Sequence, residues 1–339
     1  AAFNEVNEQG GVHGRRIELL SLNDGYEPDR AIANTRQLIE KDKVFALIGA
    51  VGTPTSKAAQ PLAKDAGVPF IGPFTGAGFL RDPDNTHVVN VRATYDQETE
   101  AWIKHLTEDL DSQRIAILYQ DDSFGRVGLA GVKKAMEKRQ LSLVAEGTYA
   151  RNSVAVKTAL LKIRKAKPDA IVMVGSYKPI ATFVKLAHKI RLDPHFVTIS
   201  FVGSKALAAE LGSAGEGVVV TQVVPSHTDT TVELVNQYHA ALARQDISAE
   251  SGFVSLEGYL VGRLTIEALE RVGPDLSRDE LIKQFQQARV DITIGDVVLK
   301  YGPGDNQGME RVYLSVLQED GTFRYVERLD QAINTAELP

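Results

Sequence analysis

Apolar residues along this chain fall into short β-branched runs that alternate with longer stretches of helical period. That alternation predicts parallel sheets covered by helices. Residues 17–22 read as the first strand, and 28–42 as a helix with Ile32, Leu38 and Ile39 turned inward. Strands at 44–51, 68–71 and 88–91 follow, with helices at 55–66 and 94–110. The pattern then restarts: strands at 115–119, 143–147, 170–174 and 196–199 alternate with helices at 125–139, 154–165 and 179–190. The last third differs. A strand at 217–224 stops at Pro225, helices are expected at 231–244, 251–271 and 277–288, and the chain ends in a hairpin, 312–317 with 323–328. Asp320-Gly321 is the turn signal of that hairpin.

The chain opens on the end of an amphipathic helix, with Ala2, Phe3 and Val6 on one face and Gly10-Gly11 as its stop. A chain that starts inside a helix predicts a segment upstream of Ala1, so a signal peptide would lie outside this sequence. No apolar run approaches the ~20 residues of a membrane span.

Length and charge narrow the classes. At 339 residues two domains are expected, and a net charge of -6 disfavours a nucleic-acid partner. With no cysteine there is no disulfide, thiolate nucleophile or zinc–thiolate site. The seven histidines are scattered and include no pair at ligand spacing, so no metal site is expected. No cofactor fingerprint occurs either: there is no Walker loop, no GxGxxG after the first strand and no GxSxG elbow.

In doubly wound sheets ligands sit at the carboxyl ends of strands. Four loops there carry candidate chemistry: Gly49 to Ser56, Gly72 to Gly78, Asp121 to Gly125, and Gly175-Ser176-Tyr177. In the first, Thr53 and Thr55 either cap the following helix or seat an anion on its N-terminus. Glycines of the second let backbone approach a ligand or serve tight turns, and Phe74 is core or pocket wall. Asp121-Asp122 favours capping over acid–base chemistry. Tyr177 either stacks on a ligand or covers a helix start. No catalytic set is assembled.

Five segments in register resemble a known family. Residues 7–19, Asn7-Glu-Gln-Gly-Gly-Val-His-Gly-Arg-Arg-Ile-Glu-Leu, with Asn23-Asp24 after them, are similar to the opening of leucine/isoleucine/valine-type periplasmic binding proteins. ALIGAVGTPTS, VPFIGPFTGAGFLR, RIAILYQDDSFGRVGL and EGVVVTQVVP follow in order. The resemblance implies the type I periplasmic binding fold: α/β, two doubly wound parallel-sheet lobes joined by three crossovers, with a ligand cleft between them. Lobe one would be 1–95 plus 226–313, and lobe two 96–225 plus 314–331. It implies a non-enzymatic, extracytoplasmic (periplasmic) binding subunit of an ABC importer. The expected partners are a small molecule and ABC permease membrane subunits, with no nucleic acid, no cofactor and a monomeric state.

Carried over residue by residue, Thr53, with Thr55 beside it, would hold a ligand carboxylate. Phe74, Thr75 and Gly76 would contact carboxylate and ammonium. Phe124 would form an aromatic wall and Tyr177 would meet the ligand on closure. The sequence departs from the pattern at Ser200, where amino-acid binders carry an acid for the α-ammonium, and at Gly76, where a threonine often stands. Either another acid compensates (Glu257, Asp121 or Asp122), or the ligand is an aromatic or aliphatic carboxylic acid without an α-amino group. A ligand sensor of the same fold is the competing role.

Overall fold

The computed structural model describes residues 1–333. Helix α1 (Ala2–Glu8) buries Ala2 and Val6 and ends before Gly10. Helix α2 (Pro28–Arg36) starts on a proline in its first turn, where no N–H is missed, and runs on into a π-helical turn over Gln37–Lys41. Ala31 and Thr35 are its buried residues, whereas Ile32 stays half-buried. Strands β1 (Leu47–Ile48), β2 (Phe70–Ile71) and β3 (Val88–Val89) form a parallel sheet in that order, with α3 (Thr53–Asp65) connecting the first two. Leu47, Ala63, Val68, Phe70, Leu80 and Val88 make the core beneath them, with Leu38 and Ile39 packed against it.

Residues 17–22, expected as a strand, form none. The segment has no regular secondary structure and carries no ladder bonds among the described residues. Its leucines Leu19, Leu20 and Leu22 are 59%, 43% and 39% exposed. With Phe45, Val51 and Val254 they line an apolar groove of about 1380 Å³. A run of strand-like composition becomes a strand only when a neighbouring edge bonds its backbone, and β1 pairs with β2 alone.

From Ala93 the chain builds a second unit. Helix α4 (Tyr95–Asp109) starts on a capping box, in which Thr94 accepts from Gln97 N and the Gln97 side chain accepts from Thr94 N. Then come β4 (Ile115–Gln120), α5 (Ser123–Glu137), β5 (Ala145–Tyr149), α6 (Lys157–Lys165) and β6 (Ala170–Val174). They are followed by α7 (Tyr177–Lys189), β7 (His195–Thr198), α8 (Ser204–Leu211) and β8 (Val219–Gln222). Helix α8 was not among the expected elements.

The chain then returns to the first unit for α9 (Glu233–Arg244), α10 (Phe253–Val272) and α11 (Arg278–Lys283). Strands β9 (Val290–Ile294) and β10 (Val297–Tyr301) pair as an antiparallel hairpin. This hairpin was also unexpected, although Val290, Ile292 and Ile294 alternate with exposed Asp291 and Thr293. Strands β11 (Tyr313–Leu317) and β12 (Phe323–Val326) complete the second sheet. Its order is β12-β11-β8-β7-β6-β4-β5, parallel from β8 to β5.

By its contacts the chain divides into Ala1–Arg92 with Val224–Glu310 (unit 1) and Ala93–Val223 with the chain from Arg311 onward (unit 2). In unit 2 the strand order reverses at β4, with β5 on one side and β6 on the other. The loops after β4 and β6 therefore leave the sheet at its switch point, where such folds take ligands.

Candidate functional site

In unit 1 two loops lie side by side. The bridge Val51–Phe74 joins them, with Phe74 N donating to Ala50 O (2.8 Å) and Gly52 N to Phe74 O (3.2 Å). Gly52 precedes α3 with φ 97°, which a side chain rarely adopts, and a Cβ there would stand 2.2 Å from the Tyr26 ring. Tyr26 itself has φ 61° and follows Gly25 in a turn that Asp24 Oδ1 closes on Tyr26 N (2.7 Å). Nothing in the sequence singled out Tyr26; the Asn-Asp-Gly turn before it was the available signal.

No side chain caps α3. Thr53 Oγ1 and Thr75 Oγ1 are 2.7 Å apart, and both residues are buried. Thr75 Oγ1 also accepts from Ala77 N (3.2 Å). Thr55 turns the other way, its hydroxyl donating to the carbonyls of Val51 and Gly52. Ser56 Oγ is fully buried and has no hydrogen-bond partner among the described residues. The first-turn N–H groups of Thr53 and Thr55 make no backbone hydrogen bond, as helix geometry requires, so they join the hydroxyl pair as donors. A helix N-terminus of this kind favours an anion.

Behind the second loop stands Arg81. Its Nη1 donates to Thr75 O (2.9 Å) and Ala77 O (3.1 Å), and Nη2 to Arg92 O (3.2 Å). The guanidinium of Arg92 lies 4.3 Å from the centroid of the Phe74 ring. Arg92 is bidentate to Glu257 on α10, Nε to Oε1 at 2.8 Å and Nη2 to Oε2 at 2.9 Å, and both residues are buried. Glu257 was one of the acids expected to be able to compensate for the missing ammonium partner. Its carboxylate is instead held by a cation 165 positions away in sequence. Gly76 is buried in the loop and contributes no side chain.

In unit 2, Asp122 caps α5, accepting from Phe124 N (2.9 Å), Gln120 Nε2 (2.7 Å) and Arg151 Nη1 (3.2 Å). Asp121 pairs with Arg126 at 2.6 Å on the surface. These contacts fit the capping reading. Phe124 is completely buried between Tyr95 and Phe201, with ring centroids 5.5 Å and 4.7 Å away, so its ring is core of unit 2 rather than an open wall. Tyr177 opens α7, half-buried against the hydrophobic core below. Ser200 is buried and donates from N (2.9 Å) and Oγ (2.8 Å) to Glu98, which also accepts from Thr221 Oγ1 at a short distance. Glu98 is 0% exposed, and sequence reasoning missed it because it lies in mid-pattern on α4. Among the described residues no cluster of three or more His, Asp or Glu could hold a metal.

Residues 1–322 match the family model described as "Periplasmic binding protein". Leu/Ile/Val-binding protein homolog 7 of Brucella abortus (strain 2308) is 24% identical over 359 residues, covering 100% of this chain and 88% of that protein. The crystal structure of a possible leucine/isoleucine/valine-binding protein from Rhodopirellula baltica SH 1 superposes with TM-score 0.88. It is 33% identical and covers 96% of this chain and 89% of that one. A fatty acid ABC transporter substrate-binding protein from Thermomonospora curvata shares the fold at TM-score 0.84 and 21% identity, over 98% of this chain and 87% of that one.

Proposed function

The chain belongs to the periplasmic binding protein family, with the type I fold, and from that premise we propose that it is the extracytoplasmic solute-binding subunit of an ABC importer. Its solute is a small molecule bearing a carboxylate, bound and released without turnover. The observation that carries this reading is the Thr53–Thr75 hydroxyl pair, 2.7 Å apart at the uncapped first turn of α3. A carboxylate placed there receives the one hydroxyl proton that the pair does not share between its own oxygens, together with first-turn N–H groups, each a charge-assisted bond. The resemblance also assigns Tyr177 to the ligand; Tyr177→Ala tests that assignment by its own loss of affinity.

The names of similar proteins speak of Leu/Ile/Val binding in one case and of fatty acids in another. A carboxylate is common to both classes. The test compares a bound acid with its primary amide by calorimetry. Loss of at least tenfold in the amide supports the carboxylate seat, since ~1.4 kcal/mol is a factor of ten and a charge-assisted bond contributes about 1.5–3. Equal affinity of acid and amide sinks it.

A further inference from the structure

We infer that the solute seated in unit 1 is a carboxylate with no α-ammonium group, a step that rests on the carboxylate reading above. An ammonium taken out of water needs an anion beside it, because neutral acceptors do not offset its charge. Each acid that the sequence offered for that task already has its own partners. Glu257, the one in unit 1, holds Arg92 through two bonds of 2.8 Å and 2.9 Å with both side chains buried. Drawing Glu257 toward an ammonium would strand a buried guanidinium, exchanging one unpaired charge for another. Asp122 caps α5 and holds Arg151, and Asp121 is paired with Arg126. At Ser200 no carboxylate replaces the family's acid. The nearby Glu98 is fully buried, with Ser200 N, Ser200 Oγ and Thr221 Oγ1 on its two oxygens.

Hydrogen-bond accounting in the loops points the same way. The carbonyls of Ala50, Gly52, Pro73, Phe74, Thr75 and Ala77 already accept from backbone N–H groups or from Arg81. Thr55 spends its proton on two more such contacts. Against these used carbonyls stand donors: the first-turn amides of α3 and the one proton that the Thr53–Thr75 pair does not share between its oxygens. Such a set suits an anion better than a cation.

The test titrates the ligand-free protein calorimetrically with matched pairs: 4-methylpentanoate against L-leucine, 3-phenylpropanoate against L-phenylalanine, octanoate against 2-aminooctanoate. At least one acid binds, and its amino partner binds at least tenfold more weakly. An amino acid that binds as tightly as its acid, or tighter, overturns the inference and leaves the carboxylate seat standing. If the folded protein takes no member of any pair, or takes 4-methylpentanamide as well as 4-methylpentanoate, the carboxylate reading falls and this inference with it.

Discussion

Thr53, Phe74, Thr75 and Gly76 were legible as neighbours because each sits just past a strand, where doubly wound sheets gather their loops. The roles of the acids were not legible. Glu257 and Arg92 are 165 positions apart, and Glu98 meets Ser200 across 102, so neither pairing leaves a local trace. Two predictions belong to single residues. Glu257→Gln leaves the Arg92 charge buried without its counter-ion, and denaturant unfolding is expected to show a loss of ~3–5 kcal/mol. The second concerns pH. His87 lies buried against Gln60, 3.1 Å from its Nε2; burial, and then the Lys64 charge, hold the His87 pKa below the ordinary histidine value of 6.5. The fold thus holds the neutral imidazole while the unfolded chain takes up its proton first. Stability is full above pH 6.5 and falls as pH drops through 6.5 toward the lowered folded-state value. His87→Gln is expected to flatten that acid-side slope in melting temperature; an unchanged slope assigns it to other groups.

At the scale of elements, the alternation of strand and helix in unit 2 was readable because each element is bounded by turn residues and buried by its own pattern. The strands of unit 1 are shorter than their apolar runs, because burial of a run does not require that its whole backbone be paired. Residues 17–22 show the limit of composition: Leu19, Leu20 and Leu22 look like strand, yet strand is a property of two edges. The β9–β10 hairpin shows the opposite, a two-residue period with Gly295-Asp296 between its halves. One junction is testable. At Gly125 on the first turn of α5, an added Cβ would lie 1.8 Å from the Gln120 carbonyl oxygen. Gly125→Ala therefore forces β4 and α5 apart, and a loss of at least ~2 kcal/mol is expected in denaturant unfolding. A neutral result would mean that the junction has slack.

For the molecule as a whole, the alternating pattern gave the α/β class, while the family rested on five short segments keeping their order. Two units built from a chain that crosses between them three times cannot be read from periodicity alone, since each crossing breaks no local rule. The solute is the least legible part. It depends on which donors and acceptors the fold has already used, and that becomes visible only when distant residues meet. The most direct measurement is therefore a calorimetric titration of Thr53→Ala beside the unaltered protein, using the tightest-binding acid. The account predicts an affinity loss of tenfold to a hundredfold, about 1.5–3 kcal/mol, with little change in melting temperature. Unchanged affinity in a folded Thr53→Ala protein would contradict it.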